Sequence, residues 1–208
     1  MTDEHPAPEV LIAAQPPVQG EGGGAHPTPA LKKMVVERCS PLEARRYNAA
    51  WHSRLPQAQV GPWKAAYRMT YGTTVYAVAL WHNPSARGLP QDWLELRRMA
   101  VSPDAPRNTP SRFLSVMARL IHHDFPRCTR MISYQDVTVH HGTIYKAAGW
   151  IAAYQSKART RDRSNPRRPR TLLLFADGTP GLGGRMYRTN ANGQSVDSSA
   201  KIRWEWLP

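Results

Sequence analysis

The stretch "TPSRFLSVMARLIHHDF", residues 109–125, constrains the fold more than any other part of the chain. Phe113, Leu114, Val116, Met117, Leu120 and Ile121 recur at i, i+1, i+3, i+4, i+7 and i+8, one apolar stripe of an α-helix. Thr109 is a good N-cap residue, and Pro110 suits the first helical position. Strand-like runs flank this helix: "WLELRRMAV" before it and "RMISY" after it.

The same signals organise the rest of the chain. "KMVVERC" reads as a first strand. "SPLEARRYNAAWH" then starts a helix over about 42–51, with Ser40 as N-cap, Pro41 behind it and Glu43 three residues after the cap. "WKAAYRMTYGTTVYAVALWH" reads as a hairpin turning at "YGTT". After "RMISY" comes a loop, "QDVTVHH". A short helix in "GTIYKAAGW" ends at Gly149, and "IAAYQS" is the next strand. "TLLLFA" and "KIRWEWL" complete the strands. The order β-α-β-β-β-α-β-α-β-β-β predicts an α/β chain, with a central mixed sheet and helices on both faces.

Residues 1–30 are rich in Pro, Gly and Ala and predict a disordered arm; residues 31–208 are expected to form one domain. The N-terminus has no basic segment followed by an apolar one, no run is apolar enough to span a bilayer, and cysteines are two. A cytoplasmic protein is therefore expected, with no membrane partner. Residues 31–208 hold 28 basic against 11 acidic side chains, a formal +17, because the arm carries only acids. That excess suits a polyanion, although a merely basic soluble protein would show it too. The basic loop "KARTRDRSNPRRPR", 157–170, offers Lys157, Arg159, Arg161, Arg163, Arg167, Arg168 and Arg170 as phosphate contacts, giving affinity without sequence readout.

Three segments resemble the Mom-type DNA-modification proteins of bacteriophages and prophages: "WHSRLP" at 51–56, "LELRRMAV…RNTPSRFL" at 94–114 and "ISYQDVTVHHGTIYKAAGW" at 132–150. The element order is similar to that of the GNAT acyltransferase fold. The resemblance implies an enzyme that converts adenine in double-stranded DNA to its N6-carbamoylmethyl form and so blocks restriction. Two other readings stay open. One is a conventional acetyltransferase for a small amine or a protein; the other is a DNA-binding protein without catalysis. The sequence fixes no oligomeric state, and a homodimer is compatible with it.

The exocyclic amine of adenine is a poor nucleophile and needs a carboxylate or base to take its proton. It must also leave the base stack. Asp136 is the candidate carboxylate, with an Asx-turn as its structural alternative. His52 matches a motif histidine and could share that duty, hold an iron with Asp136, or simply face a helix end. His140 and His141 point to opposite sides of an extended chain, so no metal site is assigned. Ser133 and Tyr134 could orient a donor carbonyl or protonate a leaving group. Tyr145 resembles the leaving-group tyrosine of acetyltransferases, or else is a core residue. One of Arg97 and Arg98 is expected to pair with Glu95 while the other reaches an anion. Asn108, Thr109 and Ser111 would hold the donor at a helix start that lacks the glycines of ordinary acetyltransferases. Two donors fit the expected product: acetyl-CoA followed by addition of nitrogen, or glycyl-tRNA, in which case tRNA is a second nucleic-acid partner.

Overall fold

The computed structural model describes residues 30–52, 61–86, 88–158 and 199–208. The expected strand at 171–176, the arm up to residue 29, and Arg159, Arg161, Arg163, Arg167, Arg168 and Arg170 lie outside these residues. Seven strands form one sheet: β1 (Val35–Arg38), β2 (Ala65–Tyr71), β3 (Thr74–His82), β4 (Trp93–Val101), β5 (Arg130–Asp136), β6 (Ile151–Ser156) and β7 (Lys201–Trp206). Their order is β1-β2-β3-β4-β5-β7-β6. Only β4 and β5 run parallel; the other neighbours are antiparallel. The parallel pair is joined through α2 (Thr109–Asp124), the crossover that such a pair requires.

The apolar stripe behaves as its spacing predicts. Phe113, Leu114, Met117 and Ile121 are fully buried against Tyr67, Met69, Trp81, Leu96 and Met131 on one face of the sheet. The short helix α3 (Thr143–Ala147) joins that layer through Tyr145, and its C-cap residue Ala148 is buried there too. On the other face α1 (Pro41–Trp51) packs on β2, β3 and β4, with Ala44 buried beside Ala66, Val78, Leu80 and Ala100. The sheet therefore has helices on both faces.

Three local expectations change. The N-cap of α2 is Asn108, in the left-handed region at φ 68°, and Thr109 is the first helical residue. Thr109 is wholly buried and donates its hydroxyl to Pro106 O at 2.7 Å, because the tight turn before the helix needs that bond. Strand β5 runs through Gln135 and Asp136 rather than stopping at Tyr134, since β7 pairs with it along its length from Met131 to Asp136. A short 3-10 helix at Leu31–Lys33 precedes β1. At α1 the cap is as expected: Ser40 Oγ accepts from the Glu43 N–H at 3.1 Å. The Glu43 carboxylate reaches Arg68 Nη1 at 2.6 Å, and the same guanidinium also holds Glu37.

A polar clamp ties the end of α2 to the sheet. The Tyr67 hydroxyl donates to Asp124 Oδ2 at 2.8 Å, Arg38 Nη1 stands 3.8 Å from that oxygen, and His123 Nδ1 lies 3.2 Å from Oδ1. Burial alone would push the Asp124 carboxyl up, but Tyr67, His123 and Arg38 outweigh it and hold it below the ordinary carboxylate range. A depressed folded pKa stabilises above the unfolded value and stops doing so as pH falls through the folded one. Tyr67→Phe should therefore cost about 2 kcal/mol at neutral pH in urea denaturation, shrinking toward zero as the pH is taken below the range in which Asp124 ionises.

Candidate active site at the split between β4 and β5

The parallel ladder is short. It pairs Trp93 with Arg130, Leu94 with Met131, Glu95 with Ile132 and Leu96 with Ser133, and goes no further. Beyond that point β4 stays with β3 and β5 stays with β7, so the sheet opens between them. The cause lies partly in β4. Leu80 pairs with Arg98 and Trp81 with Leu96, which leaves Arg97 as the extra residue of a bulge. A bulge bends its strand and increases the local twist. Next to it, Glu95 is 2 % exposed, accepts from Arg97 Nη1 at 2.9 Å and from the Ser85 N–H at 2.9 Å. Both carboxylate oxygens are thus engaged, and Arg97 is held at the mouth with its side chain 38 % exposed.

Strand alternation divides the candidates between two faces. Ser133 and Gln135 face α2 and α3. The Ser133 and Tyr145 hydroxyls lie 2.9 Å apart in a buried hydrogen bond, at the last β5 residue paired with β4. The Tyr145 ring stacks on Trp204 at 5.2 Å and meets Trp150 edge-on at 5.8 Å. Burial pushes its phenol up, against the opposing effect of Ser133. The phenol is therefore protonated at neutral pH and can give a proton. Tyr145 is at once a core ring and a hydroxyl at the split, so the two readings of its sequence are not exclusive.

Tyr134 and Asp136 face the α1 side. Burial raises the Tyr134 phenol, Glu95 adds to that, and Arg203 opposes it by charge and by a hydrogen bond to the hydroxyl. Asp136 ends β5, three residues past Ser133, the last β5 residue paired with β4; its Oδ1 accepts from the Thr138 N–H at 3.0 Å and the Thr138 hydroxyl at 2.6 Å. The Asx-turn expected as an alternative is therefore present, and it fixes one carboxylate oxygen. His52 is the C-cap of α1, its N–H donating to Asn48 O at 2.9 Å. His140 and His141 are exposed. Among the described residues no three His, Cys, Asp or Glu side chains gather as a metal site would need.

Arg98 is drawn inward: burial lowers its pKa, Arg97 adds to the lowering, and Nη1 donates to Arg97 O at 2.7 Å. Asn108 and Ser111 line a groove of about 330 Å³ with Lys32, Arg112, Ser115 and Arg119. Thr109 is not among its lining residues. Backbone donors are scarce there. Thr109 gives its N–H to Pro106 O, Pro110 has none, and Arg112 gives its own to Asn108 O. Any anion in this groove meets side-chain cations and hydroxyls rather than a cradle of N–H groups. Lys157, the one described member of the basic loop's cations, is exposed just after β6.

Residues 42–173 match the Mom protein family. The chain belongs to that family. No curated protein matches this Mom-family chain in sequence. Among solved structures, a Bacillus subtilis acetyltransferase in complex with CoA superposes with a TM-score of 0.52 at 8% identity, covering 85% of this chain and 99% of its own. A GNAT-family acetyltransferase from Streptococcus pneumoniae gives 0.49 at 6% identity over 84% and 98%. At such identities the likeness to the Bacillus enzyme is one of fold, and it places the Mom-family sheet among the acetyltransferase folds.

Sequence reasoning missed Gly142 and Gln135 as organisers of the β5–α3 loop. Trp204 Nε1 donates to Gln135 Oε1 at 2.7 Å, and Gln135 Nε2 donates to His140 O. Gly142, at φ 72°, lies so close that a Cβ there would meet Trp204 Cζ2 at 2.4 Å and Gln135 Oε1 at 2.6 Å. The only local signal was a glycine before a short helix. Gly142→Ala should cost about 3 kcal/mol through left-handed strain and overpacking together, read as a lowered urea midpoint with unchanged m-value.

Proposed function

We propose that this Mom-family chain is a DNA-modification enzyme that transfers an acyl group to the exocyclic N6 of adenine. The observation that supports the reading is the split itself, with the buried Ser133–Tyr145 hydroxyl pair where the ladder ends, Arg97 on β4 beside it, and Asp136 further along β5 on the opposite face. An adenine taken out of the DNA stack would enter from the α1 side. Asp136 would accept the N6 proton as the new bond forms. Arg97, already fixed by Glu95, would bind charge that develops on the carbonyl oxygen. The Ser133–Tyr145 pair would protonate the departing group. Arg98, Asn108 and Ser111 would serve the donor, and His52 would assist on the acceptor side.

The donor favoured is glycyl-tRNA over acetyl-CoA. Support comes from the start of α2, where Pro110 and spent N–H groups replace the usual pyrophosphate cradle, and from a net charge of +13. In the first step N6 bonds to the glycyl carbonyl, the ester C–O bond breaks, and the tRNA hydroxyl takes a proton. The free glycyl amine then attacks C6 and the C6–N6 bond breaks. The displaced nitrogen becomes the carboxamide of N6-carbamoylmethyl-adenine, with no oxidant and no second nitrogen source. Proximity favours this internal step.

Nucleosides from DNA incubated with the protein, tRNA, glycyl-tRNA synthetase and ¹⁵N-glycine should contain a modified deoxyadenosine carrying the label. Unlabelled modification from acetyl-CoA would reassign the donor, and unmodified DNA under both regimes would remove the enzyme reading. Asp136→Ala and Tyr145→Phe should each lower the yield by about 10²-fold or more while DNA binding persists.

A further inference from the structure

On the α1 side of the sheet, α1 covers β2, β3 and β4; among the described residues no helix covers β5, β7 and β6. A row of side chains crosses this open part at one level. Tyr134 of β5 is the register partner of Arg203 on β7, and Arg203 is the partner of Tyr154 on β6. The Arg203 guanidinium lies 5.5 Å from the Tyr154 ring centroid, and its charge opposes the rise of the Tyr134 phenol pKa. One row further, Asp136 faces Lys201, and Lys201 faces Ser156. On the opposite side of the row, Arg130 stacks over Trp93 at 4.6 Å and Arg203 approaches the same ring at 5.9 Å.

The charges in this area leave it cationic. Glu205 is almost wholly buried, bonded to Arg130 at 2.5 Å and ion-paired to Arg203 at 2.8 Å, so it fixes two guanidiniums without presenting its own charge. Tyr154 is 53% exposed at the outer strand of the sheet, followed closely by the exposed Lys157. Aromatic rings backed by arginines and flanked by lysines are what a nucleic-acid strand with unpaired bases binds: rings stack, cations take phosphates. Tyr134 and Tyr154 are two strand spacings apart, about 10 Å. The row therefore starts at the mouth where the target base would enter and ends where its neighbour in the strand could rest.

The geometry points to the Tyr134–Arg203–Tyr154 row as a track for single-stranded DNA, with Tyr154 stacking a base adjacent to the extruded one. This deepens the proposed function by naming a surface separate from the basic loop, and its test reads binding rather than modification. The full-length protein is titrated into a fluorescein-labelled single-stranded deoxyoligonucleotide at low salt, followed by anisotropy. Tyr154→Ala should raise Kd about tenfold and Tyr154→Phe should leave it within about twofold, because stacking needs the ring and not the hydroxyl. On a blunt duplex of the same sequence, whose bases are already stacked, Tyr154→Ala should change Kd by less than about twofold. Irradiating the complex with 5-iodouracil DNA should attach the strand to the tryptic peptide 147–157.

An unchanged single-strand Kd for Tyr154→Ala, equal losses for alanine and phenylalanine, equal losses on strand and duplex, or a cross-link elsewhere would each overturn the track. A loss confined to RNA of the same sequence would overturn its assignment to DNA. The two readings fail separately. If Tyr154→Ala weakens single-strand binding yet no modified adenine forms, the track stands without the enzyme. If modification proceeds and Tyr154→Ala binds normally, the track alone is lost.

Discussion

The interaction on which the site depends is the ion pair of Glu95 with Arg97 at the bulge in β4. A carboxylate 2 % exposed is costly to desolvate, and it is tolerated because Arg97 and the Ser85 N–H engage its two oxygens. The pair sits where β4 leaves β5. The extra residue twists β4 away after Leu96, and past that point β4 is paired with β3 alone. An opening inside an otherwise continuous sheet follows from this, with a fixed cation at its edge.

Once the sheet is open, alternation along β5 gives the two faces different chemistry. Neighbours in sequence, Ser133 and Tyr134, look in opposite directions. Ser133 joins Tyr145 in a dry aromatic layer with Trp204 and Trp150. Tyr134 joins Arg203 and Glu95 in a polar one. The apolar layer is held by α2 and by the close seat of Gly142 under Trp204. The polar layer is held by arginines that share buried carboxylates. The opening between β4 and β5 begins where these two layers meet.

Much of the framework was legible. The stripe of α2, the Ser40 cap of α1 and the hairpin at Gly72 each rest on contacts within a few residues, and local spacing reports them. The N-cap at Asn108 was not legible, because Thr109 satisfies its hydroxyl in the preceding turn and leaves the left-handed position to its neighbour. Asp136 could be named as a carboxylate but not placed on a strand, since its pairing partner, Lys201, is far along the chain. That one of Arg97 and Arg98 pairs with Glu95 followed from their nearness along the strand. Which arginine turns inward did not, because the bulge decides it.

The sequence by itself determined the seven strands and three α-helices of the described residues, the cationic excess and the Mom-type motif, because periodicity, capping and charge are properties of short stretches or of the whole sum. Only the tertiary structure decided that the ladder stops at Leu96 and Ser133, that Tyr145 meets Ser133 and that Tyr134, Arg203 and Tyr154 stand in one row. Those facts depend on the register between strands distant in sequence. A shift of one residue in that register would send every one of these side chains to the other face.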